Sequence, residues 1–306
     1  MQCGSVGKQR DKKMKYDPFY IASRLGRKIL PDFISQKFLS RTKISIEQLY
    51  NGRTNSTYMY LDAMKQIGFE RIFNNFENYT ILEAGTGIYN PASAPLILGD
   101  VYKLILLEPY ENKEIDFDRF NERFYGLIKL AETDRTYPIK KVEDSEKIKT
   151  EEKFPKGVEF LNKLWEKTGL PDNSVDLILS VSVLEHLRNP DGVLSECSRI
   201  LKPGGWMING VDLRDHYFKY PFEMLKYSEN FWNMLTTSSG GSGYQNRWRV
   251  SHWKEALDRH GFYTEVVSLE NMRDKMLKEK PYFDPKFLNL PDDDLEISFA
   301  VLISRK

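Results

Sequence analysis

Two carboxylates and a pair of glycines are the first residues in this chain whose types and spacing could do chemistry. The apolar run Ile81-Leu82 ends in Glu83, and Gly85-Thr86-Gly87 follows at once. Glycines so spaced let a chain leaving a strand reverse sharply, and let a ligand approach backbone where a Cβ would clash. About twenty residues further on, the apolar run Leu104 to Leu107 ends in Glu108, where a Rossmann-type arrangement presents a carboxylate to ribose hydroxyls. A nucleotide-like ligand is implied. A dinucleotide needs a third glycine for its pyrophosphate, and Asn90 stands at that position. S-adenosylmethionine carries no phosphate, and its amino-acid end can be held by the glycine turn and Glu83.

These residues need a scaffold, and the surrounding patterns supply one. Val175 to Val181 reads as a strong strand by its β-branched and leucine content, after the turn Pro171-Asp172-Asn173-Ser174. Val158 to Leu161 reads as a weaker one. Asn189-Pro190 caps a helix with buried face Val193, Leu194, Cys197, Ile200 and Leu201, which Lys202-Pro203-Gly204-Gly205 stops. Trp206 to Val211 forms the next strand. A helix is predicted from about 116 to 130, and an aromatic helical segment runs to Thr237. Ser251 caps a further helix ending at His260-Gly261, and Tyr263 to Leu269 and Leu295 to Ser304 supply two closing strands. Residues 1–15 read as a disordered tail, 16–76 as an N-terminal helical cap, and 77–306 as one α/β domain. Within that domain, 131–156 is a charged insertion, 212–250 an acceptor-side segment, and Gly240 to Gly243 a hinge. In the cap, Arg53, Tyr58 and Tyr60 are candidate pocket residues.

Composition narrows the function classes. The 306 residues carry 45 Lys plus Arg against 44 Asp plus Glu, so no global field points to nucleic acid. Cys3 and Cys197 provide neither a disulfide framework nor metal-ligand spacing, which suits a reducing cytoplasm. No apolar run approaches membrane-spanning length, although basic and aromatic residues near the start leave peripheral contact with a membrane surface open.

The order of motifs carries a resemblance. Glu83-x-Gly85-x-Gly87, Glu108, Leu170-Pro171-Asp172-Asn173-Ser174-Val175-Asp176-Leu177, Val183-Leu184-Glu185-His186-Leu187 and Leu201-Lys202-Pro203-Gly204-Gly205 together resemble the class I S-adenosylmethionine-dependent methyltransferases, over about 79–211. The resemblance implies a Rossmann-like, seven-stranded, mostly parallel sheet flanked by helices, with the cofactor across the strand ends. Glu83, Gly85, Thr86 and Gly87 would meet its methionine end and Glu108 its ribose, with Asn162 and Ser182 as further neighbours. Tyr89 departs from the family's usual third glycine. Segments around 212–216, 221–228 and 246–249 also look like a bacterial subgroup, some of whose members are associated with surface-polysaccharide synthesis.

Such a reading assigns roles. Methylating a hydroxyl benefits from a general base, and His216 is the first candidate, with Asp215 or Asp212 orienting its ring; His186 is the second. Arg214, Lys226, Arg247 and Arg249, interleaved with Tyr227 and Trp248 and flanked by Asp212, suit an anionic ring-bearing acceptor such as a sugar or sugar nucleotide. Asp212, Asp215 and His216 on one loop make a poor ion cage, so no metal is expected. Two rival readings stand beside this one: a non-catalytic cofactor-binding scaffold, and a nicotinamide oxidoreductase disfavoured by Asn90.

Overall fold

Leucine-rich and β-branched runs make the sheet in the computed structural model, which describes residues 16–29, 46–66, 78–87, 91–99, 101–109, 116–133, 157–216, 219–236 and 244–306. Thr80–Ala84 is β1, Lys103–Leu107 β2, Val158–Leu161 β3 and Val175–Val181 β4. Leu201–Asp212 is β5, Tyr263–Asn271 β6 and Ile297–Arg305 β7. They form one seven-stranded sheet in the order β3-β2-β1-β4-β5-β7-β6. The first five strands are parallel, and β7 enters antiparallel between β5 and β6. The predicted mostly parallel architecture is observed.

Alternation along the strands divides the core. Leu104, Leu106, Leu177 and Leu179 face one side, under α2 (Ile46–Gln66) and α3 (Phe117–Thr133), where Tyr60, Met64, Phe120 and Phe124 cover them. Ile105, Leu107, Ile178 and Met207 face the other. There α4 (Pro190–Ile200) brings Val193, Leu194, Cys197 and Ile200, and α6 (Val250–Arg259) brings Trp253, Ala256 and Leu257. Each such aliphatic side chain contributes about 1.5 to 3 kcal/mol by leaving water. The label α1 denotes Pro18–Ile29, and α5 denotes Glu229–Thr236. A third cluster joins them through Tyr20, Phe222, Tyr227, Trp232 and Phe287. The two helices expected together as a cap thus pack in different places: α2 lies on the sheet and α1 against the aromatic segment.

Local signals acted as their chemistry requires. Asn189 accepts a hydrogen bond from the Gly192 amide (3.1 Å) and Pro190 opens α4. Two expectations change. The helix ends at Ile200 as expected, but the Lys202-Pro203-Gly204-Gly205 stretch after it lies within β5, where pairing with β4 steps irregularly from Val175↔Leu201 to Leu177↔Trp206, rather than in a loop before the strand. The cap of α6 is Arg249, whose amide donates to His252 Nδ1 (3.1 Å), while Ser251 sits inside the helix and donates to Asp294. Among the described residues no helix is long and apolar enough to cross a membrane. The 1–15 tail, the hinge at 240–243, Tyr89, Asn90 and nearly all of the 131–156 insertion lie outside the described residues, as does the side chain of Arg53.

Candidate active site

The carboxyl ends of β1, β2 and β4 meet where the strand order reverses, which is where open α/β sheets hold ligands. Past β1, Gly85 and Gly87 adopt left-handed φ of 71° and 59°. The Gly85 amide donates to Leu107 O (2.9 Å), tying the turn to β2. A Cβ at Gly85 would stand 2.3 Å from Val183 Cγ2, so this glycine answers two demands at once. Glu108 leans over the turn from the end of β2, and its Oε2 accepts from the Gly87 amide (3.0 Å). Thr86 is buried, and its hydroxyl has no hydrogen-bond partner. Asn162 lies exposed just past β3.

Glu83 is engaged by the chain itself. Its carboxylate accepts from the amides of Ala92 (3.1 Å) and Ser93 (3.0 Å) and from the Ser93 hydroxyl, all in the segment that follows the turn. These donors tie the end of β1 to the segment past the turn and make a buried charge tolerable. Ser182, at the end of β4, is held at φ 53° with its amide on Gly210 O (2.8 Å), an uncommon conformation for a non-glycine residue.

Beside these ends lies a cleft of about 780 Å³ between α2 and the sheet. Tyr58, Met59, Asp62 and Lys65 line it from α2, and Ser182, Asp212 and Arg214 from the strand ends. Gly210 makes room for it, since a Cβ there would lie 2.5 Å from Met59 Sδ and 2.9 Å from Phe299 Cζ. Asp212 and Arg214 form a two-pronged pair (2.9 and 2.7 Å), and that hydrogen bonding raises the guanidinium's pKa.

The two predicted histidines come together, although their sequence positions gave no sign of it. Their rings pack edge to face with centroids 4.7 Å apart. His186 Nδ1 donates to Tyr244 O (2.7 Å), which leaves Nε2 with its lone pair. His216 Nε2 stands 3.6 Å from Glu185 Oε1 and 4.0 Å from Asp212 Oδ2. Asp215 does not orient this ring. Its fully buried carboxylate turns inward to Arg24 Nη2 (2.7 Å) and to the Tyr20 hydroxyl. Burial, and then the Asp215 charge, push the Tyr20 phenol far above its ordinary pKa.

Four residues expected to hold an anionic acceptor are instead consumed by the interior. Arg249 is 0% exposed and gathers backbone carbonyls, donating to Leu213 O (2.7 Å), Leu295 O (2.9 Å), Asp294 O (3.3 Å) and Ile297 O. Burial draws its pKa down to about 10. Arg247 donates to Met224 O (3.0 Å) and Tyr227 O (2.6 Å) and pairs with Glu229 (2.7 Å). Lys226 is buried between Glu223 and Glu279, each at 2.7 Å. Tyr227 is buried in the aromatic cluster and donates to Glu223 (3.0 Å). Of that group only Asp212 and Arg214 line the cleft. Arg249→Lys, which retains the charge but reaches fewer of the carbonyls, is expected to lower stability by about 2 kcal/mol in urea titration.

Residues passed over in the sequence hold the site together. Gln245 accepts from the His216 amide (3.1 Å) and donates to Arg214 O (2.7 Å). Asn246 binds Glu185 O (2.8 Å) through its amide and Leu184 O (2.7 Å) through its side chain. One dipeptide therefore staples both histidine loops. Their amides next to a cation-rich segment were the available signal.

Residues 130–209, less than half of the chain, match a family model described as a methyltransferase domain. No curated protein matches the chain. Among solved structures, a putative methyltransferase from Bacillus halodurans C-125 is similar, with 14% identity over 78% of this chain and 97% of that one and a TM-score of 0.42. A putative S-adenosylmethionine dependent methyltransferase from Listeria monocytogenes shows 14% identity over 80% and 97% (TM-score 0.40). A phosphoethanolamine N-methyltransferase 2 of Haemonchus contortus, in complex with S-adenosyl-L-methionine, shows 15% over 88% and 59% (TM-score 0.42).

Proposed function

We propose that the chain is an S-adenosylmethionine-dependent methyltransferase acting on a hydroxyl of a small acceptor of the carbohydrate class. The observation that carries this reading is Glu108, whose carboxylate stands over the glycine turn at the switch point, within 3.0 Å of the Gly87 amide. A ribose laid across those strand ends exchanges that amide contact for its two hydroxyls. The methyltransferase-domain match over 130–209 supports the same reaction class. The cleft next to Ser182 takes the acceptor. Its walls mix donors and acceptors of both charges with Tyr58, Met59 and Phe299, which suits a sugar's hydroxyls and apolar ring face better than a strongly anionic group.

The sulfonium is already a competent methyl donor, so the protein's work is alignment of the acceptor oxygen at about 3 to 3.5 Å and exclusion of water. The His186–His216 pair lies beside Asp212 at the cleft edge and governs how the hydroxyl loses its proton. Calorimetry is the direct test of the cofactor. S-adenosylmethionine should bind one per chain and NAD should not; the reverse result, or binding of neither, sinks the reading. His216→Ala is expected to slow turnover by about 10² to 10⁴ while changing cofactor affinity little, and full activity in that variant removes the histidine from the reaction. Mass spectrometry of a cell extract incubated with isotopically labelled cofactor separates an enzyme from a binding scaffold, since only the enzyme yields a labelled small molecule.

A further inference from the structure

We infer that Glu185, His186 and His216 form a binding site for one divalent transition-metal ion at the edge of the cleft. The single loop 212–216 is a poor cage because Asp215 turns inward, but the fold brings a second loop to it. Each of the three residues offers one ligand atom, and these atoms lie within 4.8 Å of one another. Glu185 is the independent sign. It is 3% exposed, and neither carboxylate oxygen has a hydrogen-bond partner. A buried carboxylate without a donor is costly, and a cation between it and the histidines removes that cost.

The geometry fits coordination better than a hydrogen bond. Glu185 Oε1 and His216 Nε2 are 3.6 Å apart, too far to bond to each other. Two ligands on a tetrahedral ion with bonds of about 2.1 Å stand about 3.4 Å apart. His186 is already oriented as metal-bound imidazoles are, with Nδ1 donating to the Tyr244 carbonyl and Nε2 left to ligate. Gln245 and Asn246 fix the two loops by their backbones, so the ion has only to draw three neighbouring side chains inward. Two imidazoles and one carboxylate select zinc, iron or cobalt over magnesium, and three protein ligands leave a position open. Asp212 Oδ2, 4.0 Å from His216 Nε2 and on the cleft wall, shows the side from which that position is reached.

The consequence for chemistry rests on the methyl-transfer reading; the site itself does not. In the open position the ion would hold the acceptor hydroxyl oxygen and favour loss of its proton to solvent. The oxygen lone pair then forms the bond to the methyl carbon as the carbon–sulfur bond breaks with its electrons going to sulfur. His216 is a ligand in that state.

The test uses the full chain freed of metal with a chelator. Zn²⁺ added in calorimetry should bind one per chain, with millimolar Mg²⁺ failing to compete, and Co²⁺ should give visible absorption bands. Glu185→Gln, which removes a buried charge and should fold at least as well, is expected to weaken Zn²⁺ by at least roughly tenfold and to lose the Zn²⁺-dependent rise in melting temperature. His216→Gln should do the same, so one misfolded variant leaves the other to decide. Absence of Zn²⁺ and Co²⁺ binding to the wild-type chain, or equal affinity in both variants, overturns the site. S-adenosylmethionine binding measured on the same metal-free chain reports separately on the function: its loss with Zn²⁺ binding intact sinks the methyl-transfer reading alone.

Discussion

Gly85→Val will abolish cofactor binding, and the loss will come from two separable causes. The first is conformational, because a β-branched residue at a φ of 71° pays about 1 to 2 kcal/mol for the left-handed region. The second is steric, because the new Cβ would lie 2.3 Å from Val183 Cγ2, and overpacking of that kind costs about 1 to 3 kcal/mol. Relief of either strain moves the turn off Leu107 O and the Gly87 amide off Glu108, the two contacts that set the crevice. A cycle separates the causes. Gly85→Ala paired with Val183→Ala should recover most of the steric part and none of the conformational part, so the double variant is more stable than the two single losses add up to. Calorimetric binding and urea midpoints read both. Wild-type affinity in Gly85→Val would show that the turn does not face the ligand.

What was legible in the sequence was whatever depends on neighbours in the chain. The strand Val175–Val181, the Asn189-Pro190 cap and the Glu108 carboxylate at a fixed distance past the glycines are all local patterns, and the structure keeps them. The cations misled for a physical reason. Arg247 and Arg249 read as anion-binding residues of an open pocket because an unpaired buried guanidinium is prohibitively costly, yet tertiary folding delivers Met224 and Tyr227 carbonyls to Arg247, and carbonyls from Leu213 and from residues 294–297 to Arg249, that no local pattern announces. Asp215 was assigned to its neighbour His216 because the two adjoin in sequence. Successive side chains leaving a strand end point to different sides, and Asp215 went to the interior while His216 stayed at the cleft. Glu185 was passed over because beside His186 it looked like part of a motif. Its isolation became visible only once the turn at Leu184–His186 carried it under the second histidine loop.

Arg24→Met is the second large effect, and it connects the first helix to the chemistry. Arg24 is 5% exposed, donates to Asp215 and to the Tyr20 hydroxyl (3.0 Å), and stacks on Trp232 at 4.8 Å. Methionine fills much of the same volume but takes the Arg24 charge away from the buried Asp215 carboxylate, a change that costs about 3 to 5 kcal/mol. Removing both charges, in Arg24→Met with Asp215→Asn, should cost less than Arg24→Met alone, because the Tyr20 hydroxyl and an amide do not need a cation between them. The burden falls on a loop that also carries His216, one residue further on, and whose Arg214 pairs with Asp212 on the cleft wall. Turnover in Arg24→Met should therefore fall more than cofactor affinity, which depends on the distant glycine turn, and the double variant should regain part of it. Equal urea midpoints for wild type and Arg24→Met would mean that the pair contributes no net stability, and an unchanged rate would mean that α1 does not hold the His216 loop in place.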